Sequence, residues 1–232
     1  MTLRVGEVVI DCAEHGAVVD FWHAALDYDR QDVNEQYVGL APRDEEPGRL
    51  PILFQKVPEA KTVKNRVHLD LITGAIEDLE REGAKVLTPA TEEQQWTVMT
   101  DPEGGEFCGF VRGTVPAYRL MELIVDSAEP EKQARWWADV VGGDFMSRPG
   151  TPYCWLENVP GLPFRYWVFV PVPEPKTVKN RVHWDVTAPA LQPVLDAGAT
   201  LLRPKDDEIG WNVCADPEGN EFCVFLPPEE SS

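Results

Sequence analysis

Positive charge is scarce in this sequence: 21 lysines and arginines stand against 40 aspartates and glutamates, and the formal net charge over 232 residues is −19. A nucleic-acid surface needs a basic face that displaces counterions, and an anionic membrane attracts the same kind of face, so both partners are disfavoured. No apolar run approaches the ~18 residues of a membrane span. The start, Met1 to Glu7, lacks the basic residues and long apolar stretch of a signal peptide. Five cysteines (Cys12, Cys108, Cys154, Cys214 and Cys223) form no CxxC pair. Their odd count and wide spacing read as reduced thiols of a cytoplasmic protein, not as a disulfide framework. A phosphate loop, a GxGxxG fingerprint and a GxSxG elbow are all missing, so nucleotide-dependent and serine-hydrolase chemistry lack support.

What the sequence does have is a repeat. KTVKNRVHLDL at Lys61–Leu71 returns as KTVKNRVHWDV at Lys176–Val186, a step of 115 residues with nine of eleven positions identical. The same step carries DPEGGEFCGF (Asp101–Phe110) onto DPEGNEFCVF (Asp216–Phe225), Trp96 onto Trp211, Glu7 onto Glu122 and Asp11 onto Asp126. One step from end to end means a tandem duplication with its boundary near Arg112–Pro116, and two domains, 1–113 and 117–228. The 43% hydrophobic content is enough for each to build a core.

Each half shows the same order of elements. Glu7–Asp11 and Glu122–Asp126 are short and β-branched, as strands are. Ala17, Val18, Phe21, Trp22 and Ala25 follow at helical spacing, and Ala134, Trp137, Val140 and Val141 repeat the theme. Tyr37–Leu40 and Pro51–Val57 read as strands around a polar loop, Pro42–Gly48. A second unit follows: a strand at Arg66–Ile72, a short helix at Ala75–Gly83, then strands at Val86–Leu87, Trp96–Thr100 and Glu106–Val111. DPEGG is a turn in which glycine supplies positive φ. The fold class is therefore α+β, with a β-α-β-β-β unit four times over.

The paired units, the H-x-D first strand and the DPxGNxF-like hairpin resemble the vicinal oxygen chelate superfamily, which includes glyoxalase I, extradiol dioxygenases, fosfomycin-resistance enzymes and bleomycin-binding proteins. The phrasing K-N-R-V-H-x-D…D-P-E-G-N-E-F-C is similar to a bacterial glyoxalase-like subgroup. The resemblance implies two tandem glyoxalase-like domains, each of two units folded into a cup-shaped open barrel. Pairing within each half is the default, although family members exchange units. It also implies ligand positions on the first and last strands of each unit. Here those positions hold Glu7, Gln55, His68 and Cys108, and in the second half Glu122, Val170, His183 and Cys223. One imidazole, one carboxylate, one amide and one thiol are not the usual His/Glu set, so no cofactor is expected. If a divalent metal is bound, Glu7, His68 and Cys108 are the expected ligands.

Strand alternation places Arg66, His68 and Asp70 on one face. In the functional reading His68 is an acid–base group, because imidazole titrates near neutrality. Asp70 or Glu7 orients it, and Arg66 holds an anionic substrate oxygen. In the structural reading the three form a satisfied polar stack. Glu7 and Asp11 share a face of the first strand, and a carboxylate in the cup is a candidate base. Expected catalytic residues are thus His68, Asp70 and Glu7. Expected binding residues are Arg66, Gln55, Asp11 and Cys108, with Arg181, His183, Asp185, Glu122 and Cys223 as second-half counterparts. Buried cysteine is mostly a small core hydrophobe. Lys61, Lys64, Lys176 and Lys179 either steer an anionic ligand or cap the connection between units. Of eight tryptophans, Trp22 and Trp137 suit a helix–sheet core, and Trp155, Trp167 and Trp184 are pocket candidates. Three readings stay open: a lyase or isomerase working by proton abstraction, a non-catalytic protein that binds an antibiotic-like small molecule, and a metal-dependent lyase or dioxygenase. A monomer and a homodimer both fit the acidic surface.

Overall fold

The computed structural model describes residues 3–44, 51–162 and 164–228. The expected loop Pro42–Gly48 lies partly outside them. Each repeat contains the β-α-β-β-β unit twice. The first unit is β1 (Arg4–Cys12), α1 (His15–Leu26), β2 (Asp29–Asp32), β3 (Tyr37–Ala41) and β4 (Ile52–Lys56). The second is β5 (Val67–Thr73), α2 (Ile76–Arg81), β6 (Lys85–Thr88), β7 (Thr97–Thr100) and β8 (Glu106–Val111). In the second repeat come β9 (Leu120–Ser127), α3 (Pro130–Val141), β10 (Asp144–Ser147), β11 (Cys154–Glu157) and β12 (Tyr166–Pro171). Then follow β13 (Val182–Thr187), α4 (Gln192–Asp196), β14 (Thr200–Arg203), β15 (Asn212–Ala215) and β16 (Glu221–Phe225).

The strands form two open eight-stranded sheets. Their orders are β14-β15-β16-β13-β1-β4-β3-β2 and β10-β11-β12-β9-β5-β8-β7-β6. Each sheet therefore joins one unit from each repeat. The default of pairing within a half is corrected to exchange: β1 neighbours β13, and β9 neighbours β5. Nothing in a repeated sequence distinguishes the two pairings, because both copies offer equivalent first strands.

The chain divides into two compact units, Val9–Ile124 and Met1–Val8 with Val125–Ser232. In the first, α1 buries Val18, Val19, Phe21, Trp22, Ala25 and Leu26. Trp22 meets the Phe107 ring of β8 edge-on at 5.3 Å, and its indole N–H donates to Asp101 Oδ2 at 3.3 Å. Asp101 also receives the Glu103 and Gly105 amides. The Glu103 carboxylate accepts the Ala13 and Glu14 amides, each at 2.9 Å. These donors stand at the start of α1, whose own N-cap side chain makes no capping bond, so Glu103 satisfies donors that the helix leaves open.

The second compact unit repeats this chemistry with more aromatic surface. Trp137 on α3 packs against Trp167, Trp184 and Phe222 with centroids 4.8–5.2 Å apart. Its indole N–H donates to Asp216 Oδ2 at 3.1 Å, where Gln133 donates too. Glu218 accepts from Ser127 Oγ and from the Ala128 and Glu129 amides at the start of α3. Trp167 and Trp184 are fully buried in this core, which corrects their reading as pocket walls. Trp155 is half-buried and donates to Glu157. The DPEG turn needs positive φ at Gly104 (82°) and Gly219 (84°), as the sequence implies.

Candidate functional site

Two clusters emerge, one in each compact unit. In Val9–Ile124, His68 and Asp70 stand two apart on β5, and the parallel register sets Cys108 of β8 opposite Asp70. His68 Nε2 lies 3.6 Å from Asp70 Oδ1 and 3.8 Å from Cys108 Sγ. In the other unit, His183 and Asp185 on β13 meet Cys223 of β16 through the same register. The three potential ligand atoms of each cluster lie within 4.8 Å of one another.

The carboxylate that joins each cluster comes from the opposite repeat. Glu122 on β9 acts on Asp70, and Glu7 on β1 acts on Asp185. In place of the expected grouping of Glu7 with His68, the structure sets Glu122 beside Asp70 and Cys108 of that cluster, a direct result of the strand order. The grouping of Glu7, His68 and Cys108 as a ligand set gives way to His68, Asp70 and Cys108. Gln55 on β4 belongs to the sheet that carries His183. Asp11 is buried near the end of β1. Arg66 and Arg181 are half-buried just before β5 and β13.

Burial, and then the nearby Lys64 charge, bring the His68 imidazole down to about 4, so it is neutral at pH 7. Burial, and then Glu122, hold Asp70 well above the usual carboxylate range, although hydrogen bonds with Cys108 act the other way. Burial, with the neighbouring Asp70 carboxyl, pushes the Cys108 thiol far up. Cys108 is accordingly a neutral thiol and not an activated nucleophile. Burial raises Glu122 to about 7. Asp185 rises to about 7 through burial and then Glu7, against a hydrogen bond with Cys223.

His68 Nδ1, Asp70 Oδ1 and Asp185 Oδ1 are buried without a hydrogen-bond partner. Unpaired buried polar atoms cost roughly 1–3 kcal/mol each, so their recurrence in both clusters marks places that a ligand can complete. Lys61 and Lys176 stand outside these clusters. They pair with Glu106 at 2.9 Å and Glu221 at 2.7 Å, and those carboxylates also accept the Asn65 and Asn180 amides. The capping reading of these two lysines holds.

Two sheets built from β-α-β-β-β units, each with a His-x-Asp strand beside a last-strand cysteine, define a glyoxalase-like architecture. Residues 7–110 and 122–225 each match the glyoxalase-like domain family model, and the chain belongs to that family. Both matches lie inside the sequence repeats. No curated protein matches the chain in sequence. In structure it is similar to glyoxalase I from Zea mays (12% identity, 97% of this chain and 92% of that chain, TM-score 0.67). It is also similar to the cppA protein from Streptococcus pneumoniae TIGR4 (8% identity, 97% and 99%, TM-score 0.51). At these identities the likeness is one of fold. Among the described residues, no helix is long and apolar enough to cross a membrane.

Proposed function

We propose that the protein acts on a small molecule by proton transfer, as a lyase or isomerase, with the His68 cluster as one centre. The observation that supports this most is a neutral, half-open imidazole within 4 Å of a buried carboxyl and a buried thiol, with polar atoms left unpartnered. Glu122, raised to about 7, is the group suited to take a proton from carbon next to a carbonyl and return it elsewhere. His68 and Cys108, both neutral, donate hydrogen bonds to the oxygen on which charge develops, with the raised Asp70 carboxyl beside them. Arg66 stands at the entrance of the same strand. Glu7, His183, Asp185 and Cys223 form the equivalent set.

The test is solvent-deuterium incorporation at the α-carbon of a panel of keto and hydroxy carbonyl compounds, followed by NMR. Exchange that rises through pH 7 and disappears in Glu122→Gln is the expected result. Exchange indifferent to that substitution overturns the assignment.

A second reading rests on the donor set itself. Imidazole, carboxylate and thiol at these separations suit a tetrahedral zinc-like ion, and the orphaned Asp70 oxygen fits a missing partner. His68, Asp70 and Cys108 would hold it, with His183, Asp185 and Cys223 as the second set. Such an ion would supply Lewis-acid polarisation of a bound oxygen. Elemental mass spectrometry on wild type and His68→Ala decides: near-stoichiometric metal lost in the variant supports it, and no metal in the wild type removes it. The non-catalytic alternative predicts tight ligand binding without exchange at any pH.

A further inference from the structure

The sheet around His68 has two unlike faces. Leu69, Leu71, Thr97, Met99 and Phe107 point into the core and are buried, while His68, Ile72, Val98, Thr100, Glu106 and Phe110 are half-open. Cys108 and Phe110 are two apart on β8, so both lie on the half-open face, about 7 Å from each other along the strand. The antiparallel register of β7 and β8 puts Thr97 opposite Gly109. One step further, Trp96 falls opposite Phe110, and their rings stack at 5.9 Å with planes 29° apart. Trp96 is 37% exposed, unusual for the largest apolar side chain beside a polar cluster.

Beyond this pair stands a cation. The Arg112 guanidinium lies 5.3 Å from the Phe110 ring centroid and donates to the Val111 carbonyl. Among the described residues no carboxylate pairs with it, in a chain of net charge −19. The second repeat keeps the stacked pair as Trp211 and Phe225, 5.5 Å apart, but has Pro227 where Arg112 stands. Among the described residues, a cation stands over the ring at Phe110 and not at Phe225.

We propose that Trp96, Phe110 and Arg112 form the recognition wall of the His68 centre for a planar aromatic compound bearing an anionic group, an aryl carboxylate in the simplest case. The ring lies along the exposed Trp96–Phe110 stack, and the anion meets Arg112 at the rim. The remaining edge of the ligand points toward His68. This inference rests on the small-molecule reading of that centre. Trp96 and Arg112 are specificity residues and take no part in proton transfer.

The test uses the full-length protein and calorimetric titration with three probes. These are 2-naphthoate, the uncharged 2-naphthylmethanol, and cyclohexanecarboxylate, which keeps the charge and loses the aromatic ring. Naphthoate is expected to bind best. Arg112→Gln, an exposed change with little risk to folding, should weaken naphthoate about five- to tenfold and leave the alcohol unchanged. Trp96→Ala should weaken both naphthalene probes about tenfold, and Trp96→Phe should restore most of that loss. The proposal fails if naphthoate does not bind, if cyclohexanecarboxylate binds as well, or if binding ignores both Trp96 and Arg112. Naphthoate binding that survives Glu122→Gln, in a protein that shows no deuterium exchange, overturns the proton-transfer reading alone. Exchange that persists while binding ignores the wall overturns this one alone.

Discussion

The two centres share a plan and differ in exposure. His68 is half-buried, whereas His183 is buried, as is every residue of β13 from Val182 to Val186. Ile72 and Arg112 at the first centre become Thr187 and Pro227 at the second. Around the second, the structure invests more in packing: three tryptophans and Phe222 converge, where the first has Phe21, Trp22 and Phe107. A duplicated scaffold has diverged toward a more accessible centre in one compact unit and a more heavily supported one in the other.

The largest expected effect that would break this comparison is on stability. Trp137→Ala should cost about 4–5 kcal/mol and Trp22→Ala about 3 kcal/mol, measured by urea unfolding. Equal losses would mean that the additional tryptophans add no support. Removing the shared carboxylate anchor comes next. Asp216→Ala strands the Trp137 and Gln133 donors and two turn amides, and Asp101→Ala strands Trp22 and two amides. Losses of about 3 and about 2 kcal/mol are expected.

A medium effect sharpens the comparison through pH. Glu122 and Asp185 are both raised to about 7 in the folded protein, against ordinary carboxyl values near 4. Carboxyls raised by folding contribute stability that is fully present below about pH 4 and is lost as pH rises through 7. Wild type should therefore lose stability from these groups between about pH 4 and about pH 7, by about 1–2 kcal/mol for each. Asp185→Asn should remove its share of that slope, and Glu122→Gln its own, as followed by thermal melts across the range. His68 works in the opposite sense. Held down at about 4, it contributes stability present above about pH 6.5 and lost as pH falls toward 4. By NMR, Glu122→Gln should lower the Asp70 titration and leave Asp185 unmoved, with Glu7→Gln doing the reverse. A shift of Asp70 in Glu7→Gln would refute the crosswise assignment.

The smallest effect concerns one turn. A Cβ on Gly105 would meet Asp101 Oδ2 at 2.7 Å, yet the second repeat places Asn220 there. That amide donates to Asp216, and its oxygen accepts from Asn180. Gly105→Asn should gain about 0.5–1 kcal/mol if Asp101 adjusts as Asp216 has. A loss would show that the first turn is fixed by its Trp22 contact.

Much of this architecture is legible in the sequence. The repeat announces the four units, and β8 runs over Glu106–Val111, the span its pattern implies. By contrast, β2 has no signal, because Asp29-Arg30-Gln31-Asp32 is polar and exposed throughout and exists as an edge paired to β3. His68 and Asp70 share a face by alternation, and Cys108 is found at the ligand position that the family resemblance implies. Their true carboxylate neighbour is not, since Glu7 and Glu122 are equivalent by repeat and only strand pairing separates them. The DPEG glutamates show a different limit. As letters they mark a turn, while their work is at helix starts about ninety residues away.

The crosswise order of strands has a genetic corollary. Because β9 neighbours β5 and β1 neighbours β13, a base change in the first third of the coding sequence is felt at the centre whose histidine is encoded near the end. Each repeat supplies the carboxylate beside the other's cluster, so a change in one copy alters the surroundings of the other. A gene split at the repeat boundary would yield fragments that each lack an acidic partner until two of them meet.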